Sequence, residues 1–177
     1  MKGAAFQGRA RGLIGINKDR IAAKPEVPVA VDVLTEIVIE RPCEKVASYA
    51  ANPDNAPVWY VNIKSVEWQT QPAVSVGSKM AFVAQFLGRR LAYTYEIVEF
   101  SPGQRLVMRT AEGPFPMETT YTWETMSAGR TRMTLRNRGT PSGFGAFIGP
   151  FMAMAMRRAN QKDLARLKAI VEGTPVN

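Results

Sequence analysis

The sequence predicts one α+β domain in which a curved antiparallel sheet of about seven strands wraps a long C-terminal helix, with an apolar pocket between them. Three observations predict it. From Val33 to Arg138, apolar and polar residues alternate with period 2 in short runs bounded by turn residues. Two short helical segments interrupt that pattern after the first run. Beyond Thr140-Pro141-Ser142-Gly143 the period switches to 3.6 and holds to Glu172.

The first strand runs from Val33 to Glu40, where β-branched and apolar residues alternate with polar Thr35 and Glu36. Pro42 suits the first position of a helix, and Glu44 complements the dipole of its first turn. Val46, Ala47, Tyr49 and Ala50 form the apolar stripe of that short helix. Asn52-Pro53-Asp54-Asn55 breaks it, and a second short helix or turn reaches about Tyr60. Strands are then expected at Val66 to Gln71, Ser78 to Leu87, Arg90 to Phe100, Arg105 to Thr110, Met117 to Thr125 and Arg130 to Arg138. Gly88, Ser101-Pro102-Gly103, Gly113-Pro114 and Ser127-Ala128-Gly129 supply the turns, with Pro102 fixing φ and Gly103 taking φ > 0. Strands consecutive in sequence and joined by tight turns pair antiparallel. The helix from Phe144 to Glu172 has unlike halves. Phe144 to Met156 is almost wholly apolar, with Gly149-Pro150 expected to disturb it. Leu164, Leu167, Ile170 and Val171 form one stripe of an amphipathic second half.

Residues 1–32 read differently. They are basic and rich in glycine and alanine, and Lys24-Pro25-Glu26-Val27-Pro28 reads as an extended connector. The expected organisation is a flexible basic extension over 1–32 and one ligand-binding domain over 33–177. At 177 residues the chain can bury a core without staples. Cys43 is the single cysteine, so an internal disulfide is excluded and a reducing, cytoplasmic location is expected. No apolar run reaches the roughly 20 residues that span a bilayer.

The chain has no histidine. That excludes a serine triad with a histidine base, a histidine-ligated zinc and a two-histidine, one-carboxylate iron site. No metal and no cofactor are expected. The formal net charge of +8 favours acidic partners or anionic surfaces in principle. The basic extension, and Arg157-Arg158 beside an apolar segment, suggest peripheral contact with an anionic membrane. A nucleic-acid partner is not expected, because Gly8-Arg9-Ala10-Arg11-Gly12 is one short run. Nothing in the sequence selects an oligomeric state.

Alternation sorts the strand residues into two faces. The inner phase carries Met80, Phe82 and Phe86, then Tyr93, Tyr95 and Ile97, then Leu106 and Met108. It continues through Met117, Thr119, Tyr121 and Trp123 to Met133 and Leu135. The outer phase carries Glu96, Arg109, Glu118, Glu124, Arg132, Arg136 and Arg138, which belong in water, and no carboxylate falls in the inner phase after Glu40. The inner mixture of rings, methionines and hydroxyls fits a filled core whose tyrosines bond one another, or a partly wet cavity with an adaptable wall.

The order of elements, with several local stretches, resembles the START-like or SRPBCC superfamily over about Val33 to Glu172. Ile39-Glu40-Arg41-Pro42 leading to Val46 and Tyr49, Asn52-Pro53 and Trp59 are similar to that family. So are Val76-Gly77-Ser78-Lys79, Glu99-Phe100-Ser101-Pro102-Gly103, Gly129-Arg130-Thr131-Arg132-Met133-Thr134 and Leu164-Ala165-Arg166-Leu167-Lys168. The resemblance implies the helix-grip fold and an apolar cavity for a small hydrophobic or amphiphilic molecule such as a lipid or polyketide. It also implies a choice between a carrier or sensor and a cyclase or dehydratase, and no catalytic set carries over.

Under the binding expectation, the sheet side of the site is Trp59, Phe82, Tyr93, Tyr95, Met108, Met117, Thr119, Tyr121, Trp123 and Met133. The helix side is Phe144, Phe147, Ile148, Phe151 and Met152. Under the enzyme alternative, Tyr93, Tyr95 and Tyr121 donate protons and Arg90 or Arg105 steadies an enolate.

Overall fold

The structure, a computed structural model, describes residues 31–140 and 149–173. Strand β1 (Val31–Ile39) leads into helix α1 (Cys43–Ala51), a 3-10 turn (Pro53–Asn55) and the short helix α2 (Ala56–Trp59). Six strands follow: β2 (Ile63–Trp68), β3 (Lys79–Phe86), β4 (Arg89–Ser101), β5 (Arg105–Glu112), β6 (Met117–Ser127) and β7 (Arg130–Gly139). Helix α3 (Gly149–Glu172) closes the described chain. Pro150 falls in the first turn of the described helix, where the missing N–H costs no intrahelical bond. The Phe144 to Ile148 part of the expected helix lies outside the described residues.

All seven strands form one antiparallel sheet in the order β1-β7-β6-β5-β4-β3-β2. Strands β2 to β7 thus make a meander, and β1 adds to β7 at the far edge, with Ile37 opposite Met133. The β3–β4 hairpin turns through Leu87 and Gly88 alone, both with positive φ, 49° and 75°. Two positive φ values match the right-handed twist of the flanking strands, and for Leu87 that conformation is a rare one. Register shifts at Thr94/Tyr95 and Ile97/Glu99 put bulges where β4 meets β5. Bulges bend a strand, and these help to curl the sheet around the helix. Gly139 ends β7 where no side chain fits, since a Cβ there would lie 2.6 Å from the Pro116 carbonyl oxygen.

The inward phase is as the alternation predicts. Met80, Ile97, Leu106, Met133 and Leu135 are fully buried and meet Leu164, Leu167 and Val171 of α3 in one core. The last turn of α3 is tied to the end of β1. Glu172 Oε1 accepts from the Glu40 backbone N–H at 2.7 Å and from Lys168 Nζ at 2.6 Å, while Lys168 Nζ also donates to the Val38 carbonyl at 2.8 Å. Arg41 adds a guanidinium bond to the Glu172 carbonyl.

One outer-phase residue departs from expectation. Glu118 is buried rather than in water, because the long side chains of Arg109 (2.8 Å) and Arg138 (3.8 Å) lie across it. Arginine stems cover surface while their charge stays near solvent.

Candidate functional site

A cavity of about 140 Å³ lies between the concave sheet face and α3, roofed by α1 and the turn that follows it. The strand alternation delivers Phe82, Tyr93, Tyr95, Met108, Met117, Thr119 and Tyr121 to its wall. Met152, Met156, Ala159, Asn160 and Asp163 come from α3 at spacings of three and four, so one stripe of the helix faces the space. The wall is mostly apolar, and its volume is close to the ~150 Å³ of a dry cavity that takes up benzene.

Of the other residues expected at the site, Trp59, Trp123 and Met133 sit in the core beside the cavity rather than on its wall. Trp59 is wholly buried, stacks on Tyr60 at 3.9 Å and meets Tyr121 edge-on at 6.0 Å; Trp123 meets Tyr121 edge-on at 5.9 Å. Phe151 is 54% exposed, its neighbour one turn on, Met154, is exposed too, and Phe151 does not line the cavity although the adjacent Met152 does. Phe144, Phe147 and Ile148 lie outside the described residues. Neither Arg90 nor Arg105 lines the cavity: Arg90 is exposed, and Arg105 pairs with Glu99 at 2.9 Å.

The strand residues of the inner phase bring no carboxylate to the cavity wall, as expected, but Asp163 does. It reaches the cavity from the helix, not from a strand, and is only 2% exposed. Its Oδ1 accepts from the Val61 backbone N–H at 2.8 Å. Burial raises its pKa to about 7, against the opposing effects of that bond and of the Arg166 charge. The signal was present in the sequence: Asn160 and Asp163 interrupt the apolar stripe that runs from Met152 through Met156 to Leu167.

The hydroxyls and amides form two sets. Tyr60, placed at the end of α2, meets Tyr121 of β6 with the hydroxyl oxygens 2.6 Å apart. The second set is a chain from Tyr95 to Thr119 (3.0 Å), Asn137 (2.7 Å) and Asn160 (3.0 Å). Burial holds the tyrosines protonated: it pushes Tyr95 up to about 12, against the bond to Thr119, and also raises Tyr60, Tyr93 and Tyr121. Tyr93 stacks on Phe82 at 5.6 Å and touches Tyr95 edge-on at 5.0 Å. The site therefore offers neutral donors and one carboxyl poised between its two states. Among the described residues no group of histidine, cysteine, aspartate or glutamate side chains could hold a metal ion.

Residues 30–172 match the family model described as polyketide cyclase / dehydrase and lipid transport. The chain belongs to that family. Solved structures share the fold at low identity. A Thermus thermophilus protein is 21% identical with a TM-score of 0.66, covering 80% of this chain and 97% of its own. The Zhui aromatase/cyclase of a Streptomyces species is 15% identical with a TM-score of 0.68, covering 80% and 93%. A START superfamily protein of Mycobacterium smegmatis is 12% identical with a TM-score of 0.68, covering 80% and 97%. None of the curated proteins matches the sequence. No helix among the described residues is long and apolar enough to cross a membrane.

Proposed function

We propose that this family member binds a small hydrophobic molecule of about one ring in the cavity between sheet and α3. The observation that carries the proposal is the cavity itself: mostly apolar walls, space for one ring, and Asp163 close enough to Tyr60, Tyr93 and Tyr121 for its charge to act on them. Sites for small molecules have that composition. Burying a ring of about 150–250 Å² contributes roughly 4–6 kcal/mol before association costs. A single-ring ligand alone is therefore expected to bind in the high micromolar to millimolar range. Tighter binding requires the polar groups or a longer apolar tail.

Trp59 and Trp123 both contact Tyr121 on the cavity wall, so occupancy should change intrinsic fluorescence. A saturable fluorescence change and a rise in melting temperature are expected with single-ring ketones, phenols or short-chain lipids. Flat titrations and unmoved melting across such a panel would sink the proposal.

The poised carboxyl of Asp163 beside the Tyr60–Tyr121 pair favours a second use of the same cavity, as a cyclase or dehydratase. Asp163 would take the proton α to a carbonyl while the tyrosine hydroxyls hold the enolate oxygen, and the protonated carboxyl would then return that proton to the β-hydroxyl as its C–O bond breaks and water leaves. The same panel, extended to β-hydroxy ketones and scored for loss of water, separates turnover from binding.

A further inference from the structure

The direction of each hydrogen bond around the cavity says what kind of atom is missing from it. The Thr119 hydroxyl donates to Asn137 Oδ1 at 2.7 Å, so it must accept from the Tyr95 hydroxyl at 3.0 Å. Asn137 Nδ2 then donates to Asn160 Oδ1 at 3.0 Å. The chain runs one way and ends on a donor: Asn160 Nδ2 is buried without a partner among the described residues. Tyr60 and Tyr121 share one bond, which uses one of their two protons. Tyr93 lines the same space. Asp163 uses Oδ1 to accept from Val61, and in its neutral form adds an O–H to the set. Buried donors without acceptors are costly, and an incoming oxygen removes that cost.

We propose that the Asp163 end of the cavity is a receptor for a neutral oxygen acceptor, met best by the carbonyl of a ketone or aldehyde on a ring-sized apolar body. The inference rests on the cavity being a ligand site and names the ligand chemistry. A carboxylate suits the site poorly, since it would bury a second acid beside Asp163 in a largely apolar wall. An amine suits it poorly too, because it would set donors against the tyrosines and Asn160. A hydrocarbon fills the volume but leaves the donors unmet.

The charge state of Asp163 then gates the site. The groups facing it are Tyr60 beyond α2, Tyr93 on β4, Tyr121 on β6 and Arg166 on its own helix. The three tyrosines stay protonated well above neutral pH, so the carboxyl is the group among them that changes across it. Neutral Asp163 donates to the carbonyl, whereas ionised Asp163 repels it.

Acetophenone and α-methylstyrene differ only in C=O against C=CH₂ and are the probes of choice. Calorimetric titration of the intact protein at pH 6 should show roughly tenfold tighter binding of the ketone, a preference that declines above about pH 7. Asp163→Asn keeps a donor and should make the preference independent of pH. Asp163→Leu should weaken the preference and remove its pH dependence, because Asn160 and the tyrosines remain, while the alkene still binds. Equal affinity for the two probes at pH 6 would overturn the inference and leave the cavity as a ligand site. Absence of binding by either probe would overturn both. If Asp163→Leu does not fold, Asp163→Asn decides alone: a preference that still falls above pH 7 in that variant counts against the inference.

Discussion

Burying Asp163 in an apolar wall penalises its charged form, so this residue ties stability to pH. Its pKa rises from 3.8 to about 7 in the folded chain, a shift worth about 4 kcal/mol at 1.36 kcal/mol per unit. The sign follows from proton counting. Between those values the folded state holds the proton and the unfolded state has lost it, so stability falls as pH rises. The contribution is full below about pH 4, is lost progressively up to about pH 7 and changes no further above it. Asp163→Asn should therefore match the parent at pH 4 and exceed it by several kcal/mol at pH 8, measured by urea denaturation at each pH. Identical pH slopes in the two proteins would show that the carboxyl is ionised in the native state. Glu118 is the contrasting case of a buried acid: it is paired with Arg109 and Arg138, while Asp163 has one backbone N–H.

At the scale of elements, α3 divides into an anchored end and a cavity end. The anchored end is fixed by Leu164, Leu167 and Val171 in the core and by the Glu172 junction with β1. Glu172 Oε1 accepts two bonds at once, and its pKa is lowered because those bonds and the charges of Lys168 and Arg41 outweigh the effect of burial. Its contribution has the opposite sign to that of Asp163: it is present above the ordinary carboxylate range and is lost as pH falls. Glu172→Ala leaves the Glu40 N–H without its acceptor and should cost about 1–2 kcal/mol at neutral pH. The loss should shrink toward pH 3, seen as a converging urea midpoint with an unchanged slope. Much of this level was legible in the sequence. Period 2 is an unambiguous signal when one face is buried, and it put Met80, Tyr95, Tyr121 and Met133 inward without a structure. The helix stripe was legible too through Leu164, Leu167 and Val171, but that stripe alone does not reveal that Asn160 and Asp163 extend it toward the cavity. Other features depend on neighbours distant in sequence. Glu118 is covered by arginines on two other strands, and Trp59 packs edge-on against Tyr121 of β6 in the core rather than lining the cavity. Alternation along a single strand carries no information about such coverage.

Across the described molecule, the sheet curls around α3 and leaves a largely apolar space in which a titrating carboxyl lies among neutral donors. Fold and family follow from the meander, the β1–β7 pairing and the match over residues 30–172. What the cavity holds was not legible, because occupancy depends on donor direction and volume, which no spacing of residues encodes. The burial of Asp163 has one more consequence, for thermodynamic accounting. Histidine is the side chain that ordinarily exchanges protons between pH 5 and 8, and this chain contains none. Proton uptake on ligand binding in that interval that disappears in Asp163→Asn can therefore be assigned to this carboxyl. Binding enthalpies for acetophenone measured at pH 7.5 in buffers of differing ionisation heat should reveal net proton uptake of between zero and one per ligand. The same measurement on Asp163→Asn should give none, so that a heat measurement counts the protonation of a single side chain.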